Sequence, residues 1–134
     1  MTPSLLDLVK SAANDITDPV QIASTWTSEP GRLGSGSDYT VFLDHLGIPS
    51  VDMSFVISDD APYGVYHSVY DSFSWMTRFG DPDFTYHQAM TQMWGLMALR
   101  LSDADLLPFN YVRYADELRK YIDELDVCLL TFLC

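Results

Sequence analysis

Basic residues are scarce: the 134-residue chain has seven Lys and Arg against nineteen Asp and Glu, a formal net charge of −12. Phosphate backbones and anionic lipid surfaces need a clustered basic footprint, so nucleic acid is excluded as a partner. The acids are dispersed, which reads as a solvated outer surface. Cysteine is nearly absent, with Cys128 and Cys134 both in the last seven residues. Neither a disulfide framework nor a C-x-x-C metal spacing is possible there. Long apolar runs are missing too: VCLLTFLC at 127 to 134 is far too short to span a bilayer. MTPSLLDLVKSAANDITD lacks the basic start, apolar core and small-residue cleavage site of a secretory signal. There is no internal repeat, no G-x-x-x-x-G-K phosphate loop and no G-x-S-x-G nucleophile elbow.

What is present is grease. Apolar residues make up 48% of the chain and aromatics 13%, more than so short a chain easily buries, so the chain reads as part of a larger body. Thr2-Pro3 starts a first amphipathic helix with Leu5, Val9, Ala12 and Ile16 at helical spacing, stopped by Asp18-Pro19. Residues 19 to 37 read as a long loop ending in a glycine-rich turn. Ser35 and Asp38 suggest a capping box for a short helix over 38 to 46, closed by Gly47. IPSVDMSFVI at 48 to 57 resembles a buried strand, and helix, turn, strand is the rhythm of an α/β protein.

Asp81-Pro82-Asp83 opens a long helix with His87, Met90, Trp94, Met97 and Leu101 on one stripe beside Met93 and Ala98, so His87 is expected to be a core histidine. After LLPFN, Val112, Ala115, Leu118, Ile122 and Leu125 share a face, with Asp116 and Lys120 paired on the opposite one. His45, beside Gly47 at a helix end, reads as an exposed cap. His67, among the aromatics of YGVYHSVYDSF, reads from its surroundings alone as structural, and Tyr66 as a packing residue.

Taken together, LGSGSDYTVFLDHLGIPSVDMSF, YHSVYDSF, DPDFTYHQAM and LPFNYVRYADELRKY resemble, in order and spacing, the glutamate carboxypeptidase II group of zinc exopeptidases over roughly residues 30 to 124. The resemblance implies a partial α/β/α sandwich of the zinc exopeptidase type. Residues 1–109 would be the C-terminal part of a catalytic domain, and residues 110–134 the start of a helical dimerisation domain. It implies two zinc ions in the complete site, with His67 as the last ligand in sequence order and the only one supplied here. Tyr66 matches the tyrosine that hydrogen-bonds the tetrahedral intermediate, a neutral donor aimed at developing charge. Ser35, Gly36 and Ser37 match a substrate-lining turn.

Asp52 and Ser54 stand where glutamate-preferring members carry arginines, and Ser37 replaces an asparagine, which argues against a preference for glutamate-rich peptides. The resemblance further implies a peptide substrate, a homodimer, and a membrane-anchored parent with a lumenal or extracellular catalytic domain. A two-zinc hydrolase also needs a bridging carboxylate, more ligands and a glutamate base, all upstream of the matching segment in the family. The chain alone is therefore expected to be inactive. The alternative is a non-catalytic interaction module, as the transferrin receptor is to these peptidases.

Overall fold

The computed structural model describes residues 1–26, 29–56 and 64–132, with side chains as far as Cys128. Pro3 begins a single 3-10 turn, Pro3–Leu5, that runs into α1, Leu6–Asp15. Proline suits that position because the first-turn amide has no helical partner to lose. Leu5, Leu6, Leu8, Val9, Ala12 and Ala13 are all buried, so one side of α1 is covered, while Asp7, Lys10, Ser11, Asn14 and Asp15 are exposed on the other. The helix ends before Pro19, and Asp18 Oδ1 accepts from Ile22 N at 3.3 Å to start the short α2, Ile22–Thr25. A π turn, Val41–His45, follows; α3, Phe73–Trp75, and a second π turn, Met76–Gly80, lead into α4, Thr85–Asp103, and α5, Tyr111–Phe132.

The expected α/β/α sandwich is not what forms. Every regular element among the described residues is helical and none is a strand. Residues 48–56, expected as the core strand, are irregular, and residue 57 lies outside the described residues. A strand exists only through a neighbour that takes up its backbone groups. Here they go elsewhere: Ser50 N donates to Thr2 Oγ1 and Ser50 O accepts from Thr2 N, both at 2.8 Å. Among the described residues no second extended segment is paired with it.

The helical expectations fare better. The helix expected over 38 to 46 appears as the π turn, and Gly47, at φ 66°, closes it. Gly47 N reaches Leu43 O at 3.1 Å and Ile48 N reaches Phe42 O at 2.9 Å, each loop one residue wider than in an α-helical Schellman cap, as the wider winding requires. On α4, however, the buried positions are Ala89, Met93 and Met97, while Trp94 is 53% exposed. The apolar sector written into α4 is wider than the face the fold covers.

The chain divides into two compact units. The first comprises Met1–Val9, Glu29–Asp52 and Ala104–Cys134; the second comprises Lys10–Ser28 and Met53–Asp103. In the first, Asn110 N donates to Ser4 O at 2.9 Å and its Nδ2 to Asp7 Oδ2 at 2.6 Å, fixing the start of α5 against the N-terminal turn. In the second, Arg100, in the last turn of α4, holds Ser11 Oγ at 2.9 Å and pairs with Asp15.

The two faces of α4 give a direct test. Met93→Ala empties a buried site and is expected to cost about 2–5 kcal/mol of unfolding free energy, whereas Trp94→Ala is expected to cost less than about 1 kcal/mol. Urea denaturation followed by circular dichroism reads both; a larger loss for Trp94 would restore the stripe centred on Trp94.

Candidate functional site

The turn that carries Tyr66 and His67 is built from local bonds. Val65 O accepts from Ser68 N at 3.1 Å and from Ser68 Oγ at 2.7 Å. The same hydroxyl accepts from Tyr70 N at 3.2 Å, and Ser68 O accepts from Asp71 N at 3.2 Å. With Ser68 pinned in this way, His67 is held at φ 59°, in the left-handed region. A non-glycine residue there carries strain of about 1–2 kcal/mol, and histidine tolerates it better than most. Strain of this kind, maintained by surrounding bonds, is a pointer to function.

The result is display. Tyr66 is 65% exposed and His67 is exposed as well, their rings stacked with centroids 3.8 Å apart and planes 20° apart. His67 thus lies open to solvent. Ser68, which the sequence reading passed over, is the residue that fixes the turn; its signal was a serine directly after the histidine, where a hydroxyl can bond back to the chain three residues earlier.

Gly36 sits in the first unit at φ 104°, a conformation that only glycine adopts without strain, and a side chain added there would meet nothing within 4 Å. Its N–H donates to Thr40 Oγ1 at 3.1 Å, and Thr40 N donates to Ser37 O at 3.0 Å, so these bonds close the turn where a Ser35–Asp38 capping box was expected. Tyr39 Oη reaches Ser35 O at 3.4 Å. Ser35, Gly36 and Ser37 are all exposed, as are Asp52 and Ser54. Ser35, Gly36, Ser37 and Asp52 belong to the first unit, and Ser54, Tyr66 and His67 to the second.

Two further features stand out. A cavity of about 510 Å³ in the first unit is lined by Pro3, Leu6, Arg32, Arg113, Glu117 and Lys120 among others. Its cations are already matched: Arg32 with Glu124, Arg113 with Asp7 and Lys120 with Glu117. Arg32 also lies over the ring of Tyr121, 4.2 Å from its centroid. None of the expected site residues lines it.

The second feature is Asp81, 4% exposed, whose Oδ2 accepts from His87 N at 2.9 Å and meets His87 Nδ1 at 2.7 Å. His87 was expected in the core; instead its side chain is 51% exposed and the buried partner is the aspartate. Periodicity misassigned it because the apolar residues of α4 spread over more than one face. Burial pushes the Asp81 carboxyl upward, but hydrogen bonds from His87 together with the Tyr86 backbone outweigh it and hold the carboxyl below its ordinary value.

A metal needs several donors. Among the described residues no group of three or more His, Cys, Asp or Glu side chains is gathered to hold one. His67 by itself does not complete a metal site, so further ligands would have to join it. Among the described residues no helix is long and apolar enough to cross a membrane.

Because the folded carboxyl of Asp81 is depressed, its contribution is present above the ordinary carboxylate value of 3.8 and is lost as pH falls through the lower folded value. Asp81→Asn is expected to lower the denaturation midpoint at pH 7 and to flatten its fall on acidification below 3.8. Urea melts at stepped pH values measure this; an unchanged acid limb would show that another carboxylate controls it.

No protein-family model matches the chain and no solved structure does. Curated relatives do. A probable glutamate carboxypeptidase of Arabidopsis thaliana, LAMP1, is 44% identical over 135 residues, covering 93% of this chain and 19% of that protein. A probable glutamate carboxypeptidase of Zea mays, VP8, is 37% identical over 135 residues, with 93% and 18% covered. The aminopeptidase NAALADL1 of Rattus norvegicus is 32% identical over 142 residues, with 90% and 19% covered. The chain thus spans about a fifth of the length of these relatives. Across nine-tenths or more of its own length it belongs to the glutamate carboxypeptidase-like family.

Proposed function

We propose that this chain is a segment of a zinc-dependent exopeptidase that hydrolyses peptide bonds, with His67 as one zinc ligand and Tyr66 as the donor that stabilises the tetrahedral intermediate. The observation that carries the reading is the Tyr66–His67 pair, displayed to solvent by a strained and locally pinned turn in a chain whose relatives bear peptidase names. An imidazole that packs for structure alone has no need of a left-handed, exposed backbone; one that meets a metal brought by other parts of a polypeptide does.

Zinc, when bound in the complete protein, would supply the activated water. The residues of this chain would hold one coordination position, donate a phenolic hydrogen bond, and line the substrate through the turn from Ser35 to Ser37. Asp52 and Ser54 offer no cation to an acidic side chain. The relatives' names divide between carboxypeptidase and aminopeptidase, so the end of the peptide attacked is a separate question from the chemistry.

The test has two arms. The purified 134-residue chain is expected to bind less than one zinc per chain and to show no turnover of peptide substrates. A chimera in which this chain replaces the corresponding segment of the Arabidopsis relative is expected to bind zinc and hydrolyse peptides, and His67→Ala is expected to reduce that hydrolysis about 100-fold or more. Stoichiometric zinc with turnover from the chain alone would overturn the segment reading. A chimera indifferent to His67→Ala would overturn the ligand assignment.

A further inference from the structure

Periodicity places Val112, Leu118, Ile122 and Leu125 on a core face, yet all four are exposed. Arg113, Glu117 and Tyr121, four residues apart, form the less exposed side of α5 instead. Together with Pro3 and Leu6, that side bounds the cavity of about 510 Å³ in the first unit. The volume falls within the roughly 300–1,000 Å³ of ordinary small-molecule sites. Pro3, Pro30 and the buried Leu6 give it an apolar wall.

Charge narrows the occupant. Arg32, Arg113 and Lys120 line the cavity against Glu29 and Glu117, a small positive excess in a chain whose formal total is −12. Such a lining favours a single carboxylate, since a phosphate dianion would meet both acids with no further cation to offset them. Lys120 is taken by Glu117. Arg32 meets Glu124 through Nη2 alone, and both side chains are more than half exposed, so that pair is readily exchanged for another carboxylate. Arg113 reaches Asp7 through Nη2 at 3.2 Å, while its Nε is buried with no hydrogen-bond partner among the described residues. A guanidinium is a fork that grips a carboxylate at two points, and a buried N–H left unbonded is a penalty that such a ligand relieves. On the acidic side, Glu29 forms no ion pair among the described residues, which leaves one carboxylate for an incoming ammonium.

We propose that the cavity is a binding site for a free α-amino acid with an apolar side chain. Arg32 and Arg113 take its carboxylate, Glu29 takes its ammonium, and Pro3, Leu6 and Pro30 cover its side chain. This reading is independent of the peptidase assignment, since neither the Tyr66–His67 turn nor the turn from Ser35 to Ser37 lines the cavity.

The test is an amide NMR titration of the 134-residue protein with four probes: leucine, N-acetyl-leucine without the ammonium, leucinamide without the carboxylate, and glycine without the side chain. Leucine is expected to bind at least about ten-fold tighter than each of the other three, with shifts at the amides of residues 29, 31, 32, 113, 117, 120 and 121. Arg32→Gln is expected to weaken leucine binding about ten-fold or more. Glu29→Gln is expected to erase the preference for leucine over N-acetyl-leucine. Because Arg32 and Glu29 are exposed, the far-ultraviolet spectrum of both variants should match that of the parent. Equal binding of leucine and its two blocked forms, shifts that miss the lining residues, or a Glu29→Gln chain that still rejects N-acetyl-leucine would overturn the proposal. So would the absence of any shift with leucine up to about 10 mM, an affinity too weak for a built site.

Discussion

The structure depends on the burial of one short helix. Six of the ten buried apolar residues among the described ones lie at Leu5, Leu6, Leu8, Val9, Ala12 and Ala13, and three more are Ala89, Met93 and Met97. Val9 is the only large side chain of this set that is almost wholly enclosed. Against this stand two dozen exposed large hydrophobic residues, spread over both units. A domain of this length ordinarily buries about two-thirds of the surface its unfolded chain exposes. So thin a core leaves little margin, and the exposed remainder is surface whose removal from water would stabilise whatever covers it.

With so thin a core, local bonds dominate the turns that carry Gly36, Tyr66 and His67. The His67 turn is held by hydrogen bonds that span two or three residues, and Asp81 grips the start of α4 across six. Neither requires a sheet. A motif fixed by its own near neighbours keeps its geometry whether or not distant strands are present, which is why a chain with no strand among its described residues still presents the histidine openly. In the same way Gly36 and Thr40 close the glycine turn within four residues.

Helices were legible in the sequence because their signals are local. Pro3, Asp81-Pro82 and Gly47 mark starts and stops, and the apolar spacing of α4 and α5 identifies both as helices. Which side of a helix is buried was not legible. On α4 the apolar sector was wide enough to hold two centres, and the fold chose Met93 over Trp94. On α5 the charged face turned inward because Asn110 and Arg113 bond to the N-terminal turn and α1, through Ser4 and Asp7, which periodicity cannot see. The strand was misread for a related reason: an apolar run can pair, pack or stay irregular, and the deciding groups lie far away in sequence. His67 is singled out as a candidate ligand only by the family motif, since composition gives no reason to separate it from a structural histidine.

Cations add a last constraint on substrate. All seven Lys and Arg are described, and five are committed to internal pairs: Arg32 to Glu124, Arg100 to Asp15, Arg113 to Asp7, Arg119 to Asp116 and Lys120 to Glu117. Asp52 and Ser54 are exposed and neither is a cation, and this segment has few cations to spare. An acidic peptide approaching the glycine turn would meet an exposed carboxylate and a net charge of −12, and Coulomb repulsion at that range works against binding in low salt. Selectivity for acidic side chains in a complete protein built on this segment would therefore have to come from cations outside it, strong enough to outweigh the field that this segment supplies.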